Sequence, residues 1–308
     1  MSSSVCFIAE ANEHVASGHV IRCRTIAGEL PHFGWEGHLG QPSGTDVWIF
    51  VDSYDADTAY YRRLRANYPG ARLAAFDDLG RIDYTEPALV DLVVNYDPAP
   101  DPLRYSGVPQ SLLGPSYAPL RHEFRDRDYH VHSTVHRVLL TSGATDRYGW
   151  KLALLDRIMA DHLLPEVELC TVIGSMEDRS PYESLAMQLP RLRLFQNVTE
   201  MAALMLSCDL AITGAGNTLY ELCALGLPLI IRPGSDWETT FAQEMGDTLG
   251  APCVSSDEAL LQAMMKLTGD PAARNSLSEQ GHRLSDGRGA ERIARALTES
   301  CPSSIVGA

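Results

Sequence analysis

Two hydrophobic rhythms alternate along the chain. Short continuous apolar runs, bounded by polar or small residues, are separated by stretches in which apolar residues recur every three or four positions. The runs at 5–9, 47–52, 73–76 and 92–95 predict strands buried on both faces, because such strands have no polar face to alternate with. Helical spacing over 20–30 and 57–67 separates them. Residues 98–119, with several prolines and glycines, read as connecting chain. The rhythm lapses over 121–137, where Arg121-His122-Glu123-Phe124-Arg125 and its continuation are dense in charge and poor in aliphatics. It resumes with strands at 137–141, 168–173, 192–195, 210–213 and 227–231, and helices over 151–163, 182–188 and 201–207 and beyond 216. Amphipathic helices complete the chain.

Repeated strand–helix units predict an α/β chain with parallel sheets, right-handed crossovers and helices on both faces. With 121–137 as a linker, the pattern predicts two doubly wound, Rossmann-like domains, 1–133 and 134–308, facing each other across a cleft. In that architecture ligands bind where the carboxyl ends of strands open into the crevice.

Composition narrows the function classes. The chain has 308 residues, 45% of them hydrophobic and 21% charged, which suits folded domains with ordinary cores. A net charge of -15 repels phosphate backbones and anionic membranes. The basic cluster Arg62-Arg63-Leu64-Arg65 has helical spacing and reads as a solvated face. The seven cysteines are odd in number and lack any CxxC pair, so neither a disulfide framework nor a zinc motif is expected. No basic leader and no long apolar span is evident. These features predict a cytoplasmic protein, a monomer or weak homodimer, without nucleic-acid or membrane partners, cofactor or metal.

The stretch 211–228 carries the strongest chemical signal. An apolar run breaks into Gly214-Ala215-Gly216, and helix-forming residues follow from Asn217, with Thr218 and Glu221 three apart. Small residues at a strand–helix junction let backbone N–H groups approach an anion, and the helix terminus adds partial positive charge. Glu221, one turn in, is placed to take ribose hydroxyls. The plainer reading makes Thr218 and Glu221 an N-terminal cap. Thr141-Ser142-Gly143, at the end of the first strand of the second half, is similarly small and hydroxyl-rich.

In the first half, Ser17-Gly18-His19 opens the first helix, with Ser17 a plausible N-cap. Near the positive end of a helix dipole an imidazole is placed to act as a general base; the alternative is a histidine that caps or packs. Arg22, one turn later, either pairs with Asp52 or faces a phosphate. Asp52 and Tyr54 follow the second strong strand, on the same rim as His19, and ordinary turn propensity is the alternative for Asp52. Asp77-Asp78 repeats the pattern without a third ligand at suitable spacing.

Taken in order, Gly18-His19-x-x-Arg22, Val51-Asp52-Ser53-Tyr54, Phe76-Asp77-Asp78-Leu79, Leu113-Gly114-Pro115-x-Tyr117-Ala118-x-Leu120-Arg121-x-Glu123-Phe124, the 211–228 stretch and Asp286-Gly287-x-Gly289-Ala290-x-Arg292 resemble the UDP-sugar hydrolases of pseudaminic acid biosynthesis. That family is related to the MurG-type glycosyltransferases of GT-B fold, and the resemblance spans about residues 5–297. It implies inverting hydrolysis at the anomeric carbon of a nucleotide-activated sugar, with C–O cleavage and no metal. His19 then matches the catalytic histidine, Tyr54 the active-site tyrosine and Glu221 the ribose-binding glutamate, while residues 214–218 cradle the diphosphate. Two positions depart from the family pattern. Ala16 replaces a glycine, and Gly234-Ser235-Asp236-Trp237-Glu238-Thr239 lacks an Asn-Gln pair, with Asp236 the candidate substitute. A GT-B glycosyltransferase using a nucleotide-sugar donor is the alternative, and a sensor without turnover a third reading.

Overall fold

The computed structural model describes residues 3–9, 18–78, 80–127 and 129–300, with Trp237 described by its backbone alone. Ser17, Ala16, Leu79, Asp128 and Cys301 lie outside the described residues, as does the side chain of Trp237. The chain divides into two compact units, one formed by Met1–His122 with Gly287–Ala308, the other by Glu123–Asp286.

The first unit is a six-stranded sheet built from β1 (Ser4–Ala9), β2 (Glu36–Leu39), β3 (Trp48–Asp52), β4 (Arg72–Phe76), β5 (Leu92–Asn95) and β6 (Gln110–Leu113), in the order β2-β1-β3-β4-β5-β6. Every pairing is parallel, with Ala9 opposite Asp52 where β1 and β3 end. Helices α1 (Gly18–Glu29) and α2 (Thr58–Asn67) follow β1 and β3. Asp57 starts α2 by accepting the Tyr60 amide at 2.7 Å. All five residues of β3 are buried, as a central parallel strand covered on both faces requires.

The second unit is a five-stranded parallel sheet of β7 (Arg137–Thr141), β8 (Glu168–Ile173), β9 (Leu192–Gln196), β10 (Leu210–Thr213) and β11 (Leu229–Ile231), ordered β11-β10-β7-β8-β9. Helices α3 (Trp150–Ala160), α4 (Ser180–Gln188), α5 (Met201–Leu206) and α6 (Asn217–Leu225) connect these strands. Next come α7 (Thr239–Leu249), α8 (Asp257–Gly269) and α9 (Pro271–Leu284). The six described cysteines are free thiols.

Two edge strands escape the hydrophobic pattern. In β2, Glu36-Gly37-His38-Leu39, no residue is fully buried, and β6 lies inside the stretch read as connecting chain. The domain division also differs from the expected break between 133 and 134. The units part between His122 and Glu123, and α10 (Gly289–Glu299) returns to the first unit. Tertiary contacts that local composition does not show cause the difference. Ile293 and Leu297 are buried, the Trp48 indole N–H donates to the Leu297 carbonyl at 2.8 Å, and a Cβ on Gly289 would meet the Ala118 carbonyl oxygen at 2.1 Å. Glu123 instead accepts the Ala202 amide at the start of α5, at 3.1 Å.

Leu297→Ala should therefore destabilise the first unit by about 2–5 kcal/mol, the usual cost of emptying a buried leucine site. Urea unfolding followed by tryptophan fluorescence measures it, and an unchanged midpoint would show that α10 is not part of that core.

Candidate active site

In the first unit, β1 lies next to the edge strand of the sheet, and the chain goes from it to β2 on one side and then to β3 on the other. This reversal between β1 and β3 is the topological switch point, where a parallel sheet leaves a crevice at its carboxyl edge. His19, in the first turn of α1, and Asp52, the last residue of β3, meet there. The His19 Nδ1 lies 3.2 Å from the Asp52 main-chain oxygen and 3.3 Å from its Oδ1. A carbonyl oxygen can only accept, so Nδ1 is the donor, and in the neutral ring Nε2 carries the lone pair. Tyr54 meets the ring edge-on, with centroids 4.4 Å apart and planes at 86°. His19 is buried, and Tyr54 is the exposed member of the pair.

Of the two partners considered for Arg22, the structure shows Asp52. The Arg22 Nε donates to Asp52 Oδ2 at 2.6 Å, and Nη2 bonds the other carboxylate oxygen in a fork. Nη1 donates to the Tyr96 hydroxyl at 2.6 Å, Nη2 also reaches Asp78 Oδ2 at 2.8 Å, and the guanidinium lies 4.2 Å over the Phe76 ring. Burial works against this charge, but Asp78, Tyr96 and Asp52 outweigh it and raise the guanidinium above its ordinary pKa. Arg22 is thus held by Asp52, Asp78 and Tyr96. It immobilises Asp52, whose backbone fixes the His19 tautomer.

Beside this cluster lies a small pocket open to solvent, walled by Arg22, Asp52, Tyr54, Phe76, Asp77 and Asp78 among others. Tyr54, which forms part of the wall, is the pocket residue in ring contact with His19. Burial raises the Asp77 carboxyl, against the Tyr105 hydroxyl at 2.9 Å, Arg104, and the Gly80 amide.

In the second unit the switch point falls between β7 and β10, since β8 and β9 extend the sheet one way and β11 the other. Thr141 and Thr213 are register partners, so Ser142-Gly143 and Gly214-Ala215-Gly216 leave the sheet side by side. The Gly214 amide donates to the Thr141 carbonyl at 3.1 Å. Gly216 takes the N-cap position of α6, with no side chain to cap it. Thr218 therefore lies inside the helix, which removes the capping-box reading in which it would be the cap. Asn217 and Thr218 occupy the first turn, where backbone N–H groups and the helix dipole favour an anion, and Glu221 lies one turn further along α6.

Asp236 follows β11 and accepts a hydrogen bond from the Tyr148 hydroxyl at 2.8 Å, which ties its loop to the loop after β7. That bond raises the Tyr148 hydroxyl above its ordinary value. The residues expected in this half, Thr141 to Gly143, Gly214 to Thr218, Glu221 and Asp236, thus all belong to β7, β10 and β11 and the segments that follow them. Tyr148 was not foreseen; its signal is an aromatic residue just beyond the small-residue turn.

A buried polar network under this rim also escaped the sequence reading. Lys151, wholly buried, donates to Glu177 Oε1 at 2.8 Å and to the Val172 carbonyl at 2.9 Å. The same carboxylate takes the Gly174 amide at 3.0 Å, Ser142 Oγ at 3.2 Å and the Tyr182 hydroxyl at 2.7 Å. A Cβ on Gly174 would meet the Ala144 carbonyl oxygen at 2.2 Å, so glycine lets the β8 turn pack against the β7 turn. Burial favours protonation of Glu177, yet Lys151, Tyr182 and the Gly174 amide hold it below the ordinary glutamate value; burial lowers Lys151 against its partner. The only hint in sequence is a lysine inside an apolar helical run.

No protein-family model matches the chain. The spore coat polysaccharide biosynthesis protein SpsG of Bacillus subtilis (strain 168) is 25% identical over 204 residues, covering 63% of this chain and 58% of that protein. The matched segment is thus under two thirds of that relative's length. Solved structures match along nearly all of the chain. MurG of Acinetobacter baumannii superposes with a TM-score of 0.68 at 11% identity, covering 97% of this chain and 100% of MurG. The kitacinnamycin glycotransferase gives 0.66 at 15%, covering 98% and 100%. The fold is that of the GT-B glycosyltransferases. The S. aureus MnaA–UDP structure shares it, with a TM-score of 0.60, 13% identity and coverage of 97% and 96%.

Glu177→Gln should cost about 3–5 kcal/mol at neutral pH, because it leaves Lys151 as an unpaired buried charge. A carboxylate with a depressed folded pKa stabilises fully above its unfolded value, 4.5 here, and loses that contribution as pH falls through the lower folded value. The variant should accordingly show a flatter acid limb in stability against pH. Wild-type stability in the variant at pH 7 would contradict the ion-pair account.

Proposed function

We propose that this chain is an enzyme acting on a nucleotide-activated sugar, a UDP-sugar first among candidates. Its second unit holds the nucleotide and its first carries out chemistry at the sugar. The observation that carries this reading is the β10–α6 junction. Small residues there precede an α-helix at a switch point, with Glu221 one turn inside. The diphosphate would take the backbone N–H groups of Gly214 to Thr218, and the ribose hydroxyls would take Glu221. The UDP in the S. aureus MnaA structure and the polysaccharide role in the SpsG name support the same substrate class.

Glycosyl transfer is the reaction the comparisons favour, since MurG and the kitacinnamycin glycotransferase share the fold. An acceptor hydroxyl attacks the anomeric carbon, and its proton passes to His19 Nε2. The C–O bond to the diphosphate breaks with its electron pair on the leaving oxygen, which the backbone donors stabilise. Hydrolysis is the second reading, with water as the attacking oxygen. The ordered motifs shared with the pseudaminic acid pathway hydrolases support it, as does the fixed His19 tautomer beside Tyr54. In both readings no step requires a metal, and free buried thiols suit a cytoplasmic enzyme.

The deciding experiment incubates the protein with UDP-sugars in O-18 water, with and without candidate acceptor alcohols. UDP release only with acceptor supports transfer, and release without acceptor with label in the sugar supports hydrolysis. No release from any nucleotide sugar, or label only in UDP, sinks the proposed chemistry. His19→Ala should lower turnover by about 10²–10⁴, the usual range for a general base. A change of only a few-fold would remove His19 from that role.

Glu221→Ala should weaken UDP affinity about tenfold or more, the worth of a hydrogen bond to a charged group. Calorimetric titration measures it, and an unchanged dissociation constant would refute the ribose contact.

A further inference from the structure

Toward the amino-terminal end of the first sheet, three residues distant in sequence share one face. Cys6 on β1 is the register partner of His38 on β2. Gly37 packs toward α1 and the turn after it, where an added Cβ would lie 2.8 Å from Ala27 and from Leu30, so His38, one residue on, faces the opposite side. The loop before β3 folds back there, because the Asp46 carboxylate accepts the Ser43 amide at 2.7 Å, the Ser43 hydroxyl at 2.9 Å and the Ser4 hydroxyl at 2.7 Å. The His38 Nε2 donates to Asp46 Oδ1 at 2.9 Å, and Cys6 Sγ lies 3.5 Å from the Gly40 carbonyl. One ligand atom from each of Cys6, His38 and Asp46 falls within 4.8 Å of the others.

We propose that Cys6, His38 and Asp46 form a site for a zinc-class divalent cation that staples the short edge strand β2 to β1 and to the loop before β3. Sulfur, imidazole and carboxylate make up a mixed donor set of the kind Zn²⁺ takes in four-coordinate sites. The fourth position belongs to water, since the His38 side chain is 44% exposed while that of Asp46 is 1% exposed. On binding, the Cys6 proton leaves to solvent and the His38 ring proton moves from Nε2 to Nδ1. Thiolate and carboxylate then carry two negative charges against the two of the cation, so the buried cluster is neutral. The Ser4 and Ser43 bonds remain to orient the carboxylate, as outer-shell partners do around metal ligands. The cluster uses none of the residues assigned above to nucleotide or sugar.

Titrating chelator-treated full-length protein with Co²⁺ and Zn²⁺ tests this. The expected result is stoichiometric binding, a thiolate-to-cobalt charge-transfer band that disappears in Cys6→Ser, and a higher thermal midpoint with Zn²⁺. His38→Ala alters a half-exposed side chain and should fold. It should bind Zn²⁺ at least about tenfold more weakly, since changes even to outer-shell partners cost that much. A missing band, a band that persists in Cys6→Ser, or equal Zn²⁺ affinity in His38→Ala would overturn the site and leave the cluster as a hydrogen-bonded turn.

Discussion

Parallel pairing governs both halves of this molecule. A parallel strand cannot return by a tight turn, so each connection crosses back and every strand in a sheet delivers its carboxyl end to the same edge. Where the strand order reverses, two such ends diverge and leave a crevice that no crossover fills. The reversals at β1/β3 and β7/β10 place His19 with Asp52 in one unit and the Ser142 and Gly214 turns together in the other. Each candidate group owes its position to the sheet order before any side-chain contact is made.

The two units use that position differently. The first fixes reactive side chains through a buried charge network in which Arg22 forks onto Asp52 while touching Asp78 and Tyr96. A guanidinium suits this because its planar fork matches a carboxylate and stays charged when buried. The second unit presents backbone N–H groups, and its buried pair, Lys151 with Glu177, holds the turns that display them. Side-chain networks and backbone donors are thus separated by unit.

Much of this was legible in the sequence because parallel central strands are uninterrupted apolar runs. Trp48 to Asp52, Leu92 to Asn95 and Leu210 to Thr213 stand out without an alignment. Edge strands are not marked in that way. Only one face of β2 is covered, so Glu36-Gly37-His38-Leu39 carries no comparable run. The domain division was misplaced for a related reason, since the charge-dense stretch near 121–137 is a local feature whereas α10 is assigned by its contacts with Trp48 and Ala118. The His19, Tyr54, Gly214 and Glu221 positions were visible because small residues and helix starts follow strands there. The roles of Arg22, Lys151 and Glu177 depend on partners across the sheet. Residue spacing argued equally against a metal, yet strand register sets Cys6 beside His38, and the loop before β3 brings Asp46 to them.

The central claim is that a nucleotide diphosphate sits at the switch point of the second unit. Amide hydrogen exchange with and without UDP tests it directly, because backbone N–H groups are the proposed ligands. Slowed exchange concentrated in residues 142–144 and 214–219, extending to 234–236, is the predicted result. Unchanged exchange at those amides under saturating UDP, or protection confined to the first unit, would contradict it.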